Sequence, residues 1–362
     1  MYVYKKPFML IKAENWEAAL EKLGKPDIII TSVGTSTGEE YRKSYFVKKD
    51  RPVVEKLKEK GIEVILATGW HGDKAKEVAN RENVDIVLAE GGAIEYRKNE
   101  NGEWKENIVI SKEEIDKLDE VAGMIYKDLL TKLKEEGKEI VLFLQPDKVC
   151  YCPYVNPDPK EVIDNDLVSL RGNPEISQEE IKKLDLNSND YKEIGRYFKD
   201  LAQKLNFTPI RVTMDENNQL YAEILNIDKA KEIIEKNKLS NKELEDILNE
   251  IIKQNRIKEK YPHIEIPLHD DNSFDILPYP KGKMTYEYVV ENKEYKKVVL
   301  IEKGSGHENE MNEIFEESDK VYAAAFCPED KNVYGAHKVP VRREELFETV
   351  GTEIYAILTS AD

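Results

Sequence analysis

Three short apolar runs in the first hundred residues most strongly constrain how this chain can fold. They read DIIITSV, IEVILAT and VDIVLAE, and they are rich in β-branched residues. Between them lie RPVVEKLKEKG, which stops at Gly61, and DKAKEVANREN, both of which are helical in pattern. Apolar strands separated by helices predict a parallel sheet that is covered on both faces. We therefore expect an α/β fold with a doubly wound, Rossmann-like core.

A long middle segment interrupts this alternation. SKEEIDKLDEVAGMIYKDLLTKLKEEG predicts an amphipathic helix that Ser111 opens, with Glu114 completing a capping box. TPIRVTMDENNQLYAEI predicts a hairpin over Asn217-Asn218. The strand-like runs KKVVLIE and KVYAAAF then restore the first pattern. The sequence thus predicts an N-terminal extension (1–25), a core domain (26–97 plus 278–362) and a large inserted α+β domain (98–277).

Charge and cysteine content limit the partners and the compartment. The chain has 55 Lys and Arg against 72 Asp and Glu, a net charge of −17, so we expect neither nucleic acid nor a membrane surface as a partner. There is no run of apolar residues of membrane-span length and no signal-peptide pattern. The odd set Cys150, Cys152 and Cys327 suits reduced thiols in the cytoplasm. Residues 1–25 read as a strand and a helix, either an added sheet edge or a contact with a second copy or a protein partner.

Small polar residues and glycines stand where the predicted strands end, at 31–34, 68–69 and 90–92. Ligands of doubly wound sheets bind at these carboxyl ends. Gly34-Thr35 is either a phosphate-binding turn or a plain strand-to-loop turn. The Thr68 hydroxyl suits an anion next to a helix start, and it also suits a helix N-cap. Lys281 is either a solvated lysine or an anchor for an anion.

Four separated segments carry the pattern of one family. VILATGWHGDKAKEV supplies Thr68 and Gly69, AEGGAIEY a glycine turn, DILPYPKGKMTYEYV the pair Lys281-Gly282, and IEKGSGHENEMNEIF a glycine turn before a Met and a helix. In this order they resemble the haloacid dehalogenase-like (HAD) hydrolases, in particular the Cof-like, sugar-phosphate phosphatase branch. The resemblance implies a HAD-like core with residues 98–277 as its cap. It also implies a phosphate site formed by Gly34, Thr35, Thr68, Gly69 and Lys281.

The chain departs from this family at the first motif, which reads Asp-x-Asp-Gly-Thr in the family. There the first Asp is the nucleophile and a magnesium ligand, and the second is the acid/base. In this sequence Thr31 and Val33 take these places, whereas Gly34 and Thr35 remain. A valine cannot transfer a proton, and a threonine hydroxyl is a weak nucleophile without an adjacent base.

The fourth motif has also lost its first acid. An alignment on Gly304 places Ser305 and Asn309 at the two acidic positions, and an alignment on Met311 places Gly304 and Glu308 there. Ser305, Glu308 and Asn309 are therefore the candidate metal ligands, although Mg²⁺ usually requires carboxylates. We expect no cofactor, or Mg²⁺ if the chain is an active phosphatase.

Two histidines follow strand ends that should converge in this fold. His71 and His307, with Glu308 adjacent, are candidates for an acid/base or metal pair, and Thr31 is the remaining candidate at the nucleophile position. Loop histidines more commonly face water. The segment LHDDNSFD, which contains His269, suits a hairpin turn better than a metal site.

Three hypotheses follow from these residues. The first is a phosphatase-fold protein that has lost aspartyl-phosphate catalysis and binds a small phosphorylated metabolite or a partner. The second is an active phosphohydrolase for a sugar phosphate or similar ester with a non-standard site. The third is a structural subunit with a vestigial pocket.

Overall fold

The computed structural model describes residues 27–32, 47–48, 51–158, 174–269, 271–286, 288, 298–301, 325–328 and 338–341. The chain divides into two compact units. The first consists of Met1–Val109 with Pro280–Asp362, and the second of Ile110–Tyr279. The predicted extension 1–25 lies outside the described residues.

The first unit is built on one mixed sheet. Its described strands are β1 (Ile28–Ser32), β4 (Glu63–Ala67), β5 (Ile86–Ala89), β6 (Ile94–Lys98), β7 (Trp104–Ile108), β13 (Val298–Ile301), β14 (Ala325–Pro328) and β15 (Lys338–Val341), in the order β15-β14-β13-β1-β4-β5-β6-β7. Two short strands, β2 (Val47–Lys48) and β3 (Arg51–Pro52), form a separate pair. The strands from β15 to β5 are parallel. The α/β, Rossmann-like core predicted from the sequence is thus confirmed, and β1 and β13, which come from the two separated parts of the chain, pair within this sheet.

Apolar residues on both faces of the central strands explain their position. The side chains of Ile28, Ile29 and Ile30 are fully buried. Three helices of this unit are described: α1 (Val53–Glu59), α2 (Gly72–Arg81) and α8 (Lys281–Tyr286). In α2 the buried Ala75, Val78 and Ala79 recur at helical spacing and form its apolar stripe.

The inserted domain begins later in the chain than predicted, because the hairpin of β6 and β7 belongs to the first unit. The prediction placed residues from 98 onward in the inserted domain, but β7 pairs with β6 in the first sheet, and the second unit begins at Ile110. The turn NENGEW closes this hairpin, with Asn99 N–H donating to Glu103 O at 2.9 Å and Gly102 at φ 79°. Because β7 is largely exposed, it lacks the apolar pattern that revealed the central strands.

The second unit has an antiparallel sheet with helices. Its strands are β8 (Ile140–Leu144), β9 (Pro153–Val155), β10 (Leu184–Asp185), β11 (Ile210–Met214) and β12 (Gln219–Ile224), in the order β10-β12-β11-β8-β9. Its helices are α3 (Lys112–Glu135), α4 (Tyr191–Leu205), α5 (Ile227–Lys236), α6 (Asn241–Gln254) and α7 (Ile257–Lys260). The Ser111–Glu114 capping box and the hairpin over Asn217-Asn218 are both present, as predicted.

Helices α3 and α4 pack closely because glycines stand at their contact. A Cβ on Gly123 would lie 1.8 Å from the Tyr191 carbonyl oxygen, and one on Gly195 would lie 2.0 Å from that of Asp119. Beside them the rings of Tyr126 and Phe198 stack at 3.9 Å. Only glycine permits this approach of the two backbones.

The LHDDNSFD segment is a turn, as predicted. His269 N–H donates to Ser273 O at 2.8 Å, and Asn272 has φ 58°. Cys150 and Cys152 are buried free thiols. Over the described ranges, no group of three or more His, Cys, Asp or Glu side chains could hold a metal ion, and no helix is both long and apolar enough to cross a membrane.

Candidate functional site

The predicted site residues fall partly inside the described structure. Thr31 lies near the carboxyl end of β1, where its backbone pairs with Leu66 on β4 and Ile301 on β13. Lys281 is the first residue of α8. Thr68, Gly69 and His71 follow β4. The remaining candidates lie outside the described residues: Val33, Gly34, Thr35, Ser305, His307, Glu308 and Asn309.

Thr68 is buried, and its backbone and hydroxyl groups make three hydrogen bonds at the ends of β4 and β5. Its N–H donates to Leu88 O at 2.9 Å, and its carbonyl oxygen accepts from Gly91 N–H at 3.0 Å. Its hydroxyl oxygen accepts from Trp70 N–H at 3.1 Å. The N-cap role considered for Thr68 is wrong, because the residue at the N-cap of α2 is His71. The hydroxyl oxygen instead closes a short turn by accepting a hydrogen bond. The hydroxyl group can still donate its own proton in a further hydrogen bond.

A second turn is joined to the first at the end of β5. Glu90–Gly92 forms a short turn, and Glu90 N–H donates to Trp70 O at 3.1 Å. All three residues have positive φ, 51°, 67° and 98° in order. The carboxyl-end turns of β4 and β5 are therefore cross-linked through main-chain hydrogen bonds, which hold Thr68 in a fixed place. Glu90 itself is fully buried.

Helix α8 packs against the second turn. A Cβ on Gly92 would lie 2.7 Å from the Met284 Cβ, so the helix approaches the turn as closely as a glycine allows. Lys281 precedes Met284 by three residues, which is about one helical turn. The structure thus brings the main chain of Lys281 to the same sheet end as Thr68. The Lys281 side chain is not among the described ones.

His71 is buried at the start of α2. Its pKa is lowered from 6.5 to about 4, mainly through desolvation by burial; Asp73 raises the pKa, and Lys74 and Lys76 contribute to lowering it. The imidazole is therefore neutral near pH 7. A Cβ on the next residue, Gly72, would lie 2.1 Å from the Tyr96 hydroxyl oxygen, so the start of α2 is pressed against β6.

Lys74 and Glu90 are buried charged residues near these turns that the sequence reading did not select. Lys74 is 8% exposed; its Nζ lies 5.6 Å from the centre of the Trp70 ring and 3.6 Å from Glu77. A signal for Lys74 was present, because it falls four residues before Val78 on the apolar stripe of α2. For Glu90 the only signal was an acid in a glycine turn.

Residues 41–231, somewhat more than half of the chain, match the haloacid dehalogenase-like hydrolase family. The chain therefore belongs to the HAD-like hydrolases, as its motifs predicted. The matched residues include Thr68 and the Glu90–Gly92 turn, whereas Thr31 and Lys281 lie outside them. No curated protein matches this chain.

Solved structures match this chain over more than nine-tenths of its length at low sequence identity. A trehalose-6-phosphate phosphatase of Aspergillus fumigatus matches with a TM-score of 0.51 at 9% identity, over 96% of this chain and 98% of that one. The C-terminal domain of the Candida albicans trehalose-6-phosphate phosphatase gives 0.49 at 10% identity, over 98% and 99%. A HAD-like hydrolase of Bacillus subtilis gives 0.46 at 11% identity, over 91% and 99%. At these identities the likeness concerns the fold alone.

The first motif does not supply the ligands that the family's magnesium ion requires. Mg²⁺ binds hard oxygen atoms, usually including one or two carboxylates. Position 31 offers a neutral hydroxyl and position 33 an alkyl group. The same two residues provide neither a charged nucleophile nor a proton donor for a leaving group.

Proposed function

We propose that this protein binds a small phosphorylated ligand at the carboxyl end of its parallel sheet, without magnesium and without aspartyl-phosphate catalysis. The proposal depends on two observations taken together. The first motif lacks its aspartates, whereas the turn after β4, which contains Thr68, is held in place by hydrogen bonds. Thr31 and Val33 replace both aspartates, while Thr68 is fixed by three hydrogen bonds, two of which join the ends of β4 and β5.

The chemistry of the remaining groups favours an anion. Thr68 offers a hydroxyl, Lys281 a cation, and the main chain at Gly69 and Gly34-Thr35 supplies N–H donors. Without the two aspartates an incoming phosphate meets less negative charge, so it no longer needs a metal ion to screen it. The net charge of −17 opposes this binding, and we expect modest, salt-sensitive affinity.

Calorimetry in EDTA tests the proposal, with inorganic phosphate, sugar phosphates and nucleotides as the titrants. Loss of a charged hydrogen bond costs about 1.5–3 kcal/mol, so Lys281→Ala should weaken binding by about 10- to 150-fold. Lys283→Ala, which removes the same charge from the same helix, is the matched control and should bind as the wild type does. If no phosphorylated compound binds, or if both variants bind equally well, the pocket is vestigial and the structural-subunit hypothesis replaces this one.

An active phosphohydrolase is the second candidate. The family membership supports it, because the relatives with this fold include phosphatases. Such an enzyme would depend on His71, His307, Glu308 or Thr31 in place of the aspartates. The neutral state of His71 near pH 7 suits a hydrogen-bonding role or a base better than an acid.

Two further expectations accompany the proposal. Residues 1–25 are the proposed contact for a second copy or a protein partner. We also propose a cytoplasmic location, with which the free thiols of Cys150 and Cys152 are compatible.

A further inference from the structure

A compact polar network joins the segment after α8 to strand β6. The Tyr288 hydroxyl donates to Glu95 Oε1 at 2.5 Å and accepts from Arg97 Nη2 at 2.9 Å. Arg97 Nε also donates to the same Glu95 oxygen, at 3.2 Å. These three residues are called the Tyr288 anchor below.

Two of the three anchor residues are buried, and neighbouring strands support the anchor. Glu95 is 8% exposed and Tyr288 is 4% exposed, whereas the Arg97 side chain is 35% exposed. Asn107 on β7 donates to the second Glu95 oxygen at 3.3 Å, and Arg97 Nη1 reaches Glu63 on β4 at 3.2 Å. Burial raises the pKa of Tyr288, so its hydroxyl keeps the proton that it donates. A charged network with this little exposure holds its geometry more firmly than a surface ion pair does.

The anchor and the Gly92 contact fix one short piece of chain at two points. Met284 is held against Gly92, and Tyr288, four residues on, is held by Glu95 and Arg97. Lys281 starts the same piece, three residues before the first of these points. Its main-chain position therefore depends on contacts made by residues that lie farther along the chain.

We propose that Tyr288, Glu95 and Arg97 are positioning residues for Lys281: by holding α8 on β6, they set the affinity of the anion site without touching the anion. This inference rests on the proposed function. It differs from a merely structural role, because its effect on binding must pass through the Lys281 side chain.

A double-mutant cycle with inorganic phosphate as the probe, in EDTA, separates the two roles. Tyr288→Phe keeps the ring and removes one hydroxyl, so the fold should tolerate it. We expect it to weaken phosphate binding about 3- to 10-fold in the wild-type background, as for one lost polar contact. In the Lys281→Ala background the same change should leave the residual affinity unaltered. Tyr197→Phe is the matched control, since it removes a hydroxyl that donates to Lys182 O at 2.8 Å in the second unit, and it should not affect binding.

Amide hydrogen exchange of the ligand-free protein provides a second readout, which decides the question if Lys281→Ala binds too weakly to measure. Tyr288→Phe should accelerate exchange in residues 281–286 and leave that of α2 unchanged. Equal weakening in both backgrounds, no weakening at all, or unchanged exchange in α8 would overturn the inference while the proposed function stands. If the wild type binds neither inorganic phosphate nor any of the sugar phosphates and nucleotides, both are overturned.

Discussion

Buried polar groups are held in different ways in the two units of this protein. In the second unit, the Asp119 carboxylate accepts from Tyr151, Arg196 and Lys199 at 2.7, 2.9 and 2.7 Å, and these contacts lower its pKa despite burial. In the first unit, Thr68 is held by main-chain groups of two adjoining turns. A carboxylate that several side chains of the same fold neutralise contributes to stability. For the hydroxyl that the backbone fixes at a sheet end, we propose a role in ligand binding instead.

The largest expected effect is on the second unit. Asp119→Ala removes the buried partner of Lys199, whose side chain is 11% exposed, and breaking such a buried pair costs about 3–5 kcal/mol in free energy of unfolding. Asp116→Ala, which removes a more exposed partner of Arg196, should cost less than about 1 kcal/mol. Urea unfolding measures both. A loss at Asp119 no greater than that at Asp116 would show that the cluster is not a stabilising centre, and the contrast between the units would fail.

Acid should weaken the first unit through His71. Because its folded pKa of about 4 lies below the ordinary 6.5, the unfolded chain binds more protons between these values. Its contribution to stability is complete above pH 6.5 and declines as the pH falls toward 4, by about 3 kcal/mol in total. His71→Gln should have a correspondingly shallower pH dependence of stability. Identical slopes in the two proteins would contradict the burial of a neutral imidazole.

A smaller effect concerns the contact between the β5 turn and α8. Gly92 and Gly102 both have positive φ, but a Cβ meets Met284 at the first and nothing within 4 Å at the second. Gly102→Ala should cost about 1 kcal/mol from the backbone alone. Gly92→Ala should cost a further 1–3 kcal/mol, roughly, from the steric overlap. Thermal unfolding of the pair compares them, and equal losses would mean that α8 does not press on this turn.

The sequence predicted the first unit well where the pattern was local. Ile28–Ile30 and the other apolar runs specify buried strands by composition alone. The position of β7 in the first sheet was missed, because its exposed residues carry no alternation and its place depends on pairing with β6. The Asp119 cluster was also missed, since its partners lie 32 to 80 residues away along the chain.

The parts of the candidate site that lie in sequence motifs at strand ends could be predicted from the sequence. Thr68 and the Glu90–Gly92 turn were found in this way, and the family match now includes both. The hydrogen bonds that join the two turns could not be read from the sequence, because they connect main-chain atoms about twenty residues apart. The hydrogen bonds of Tyr288 with Glu95 and Arg97 could not be predicted either. A tyrosine in an aromatic-rich segment is more simply interpreted as a residue that packs in the hydrophobic core.

The proposed loss of aspartyl-phosphate catalysis can be tested by measuring the hydrolysis of a generic phosphate ester, such as p-nitrophenyl phosphate, with saturating Mg²⁺ and with EDTA. The loss of proton transfer alone removes about 10²–10⁴-fold of rate, and the loss of the charged nucleophile removes more. We predict turnover at the buffer background in both conditions, for the wild type and for Thr31→Ala alike. Robust magnesium-dependent turnover that Thr31→Ala abolishes would contradict the proposed loss of catalysis and would establish the protein as an active phosphohydrolase.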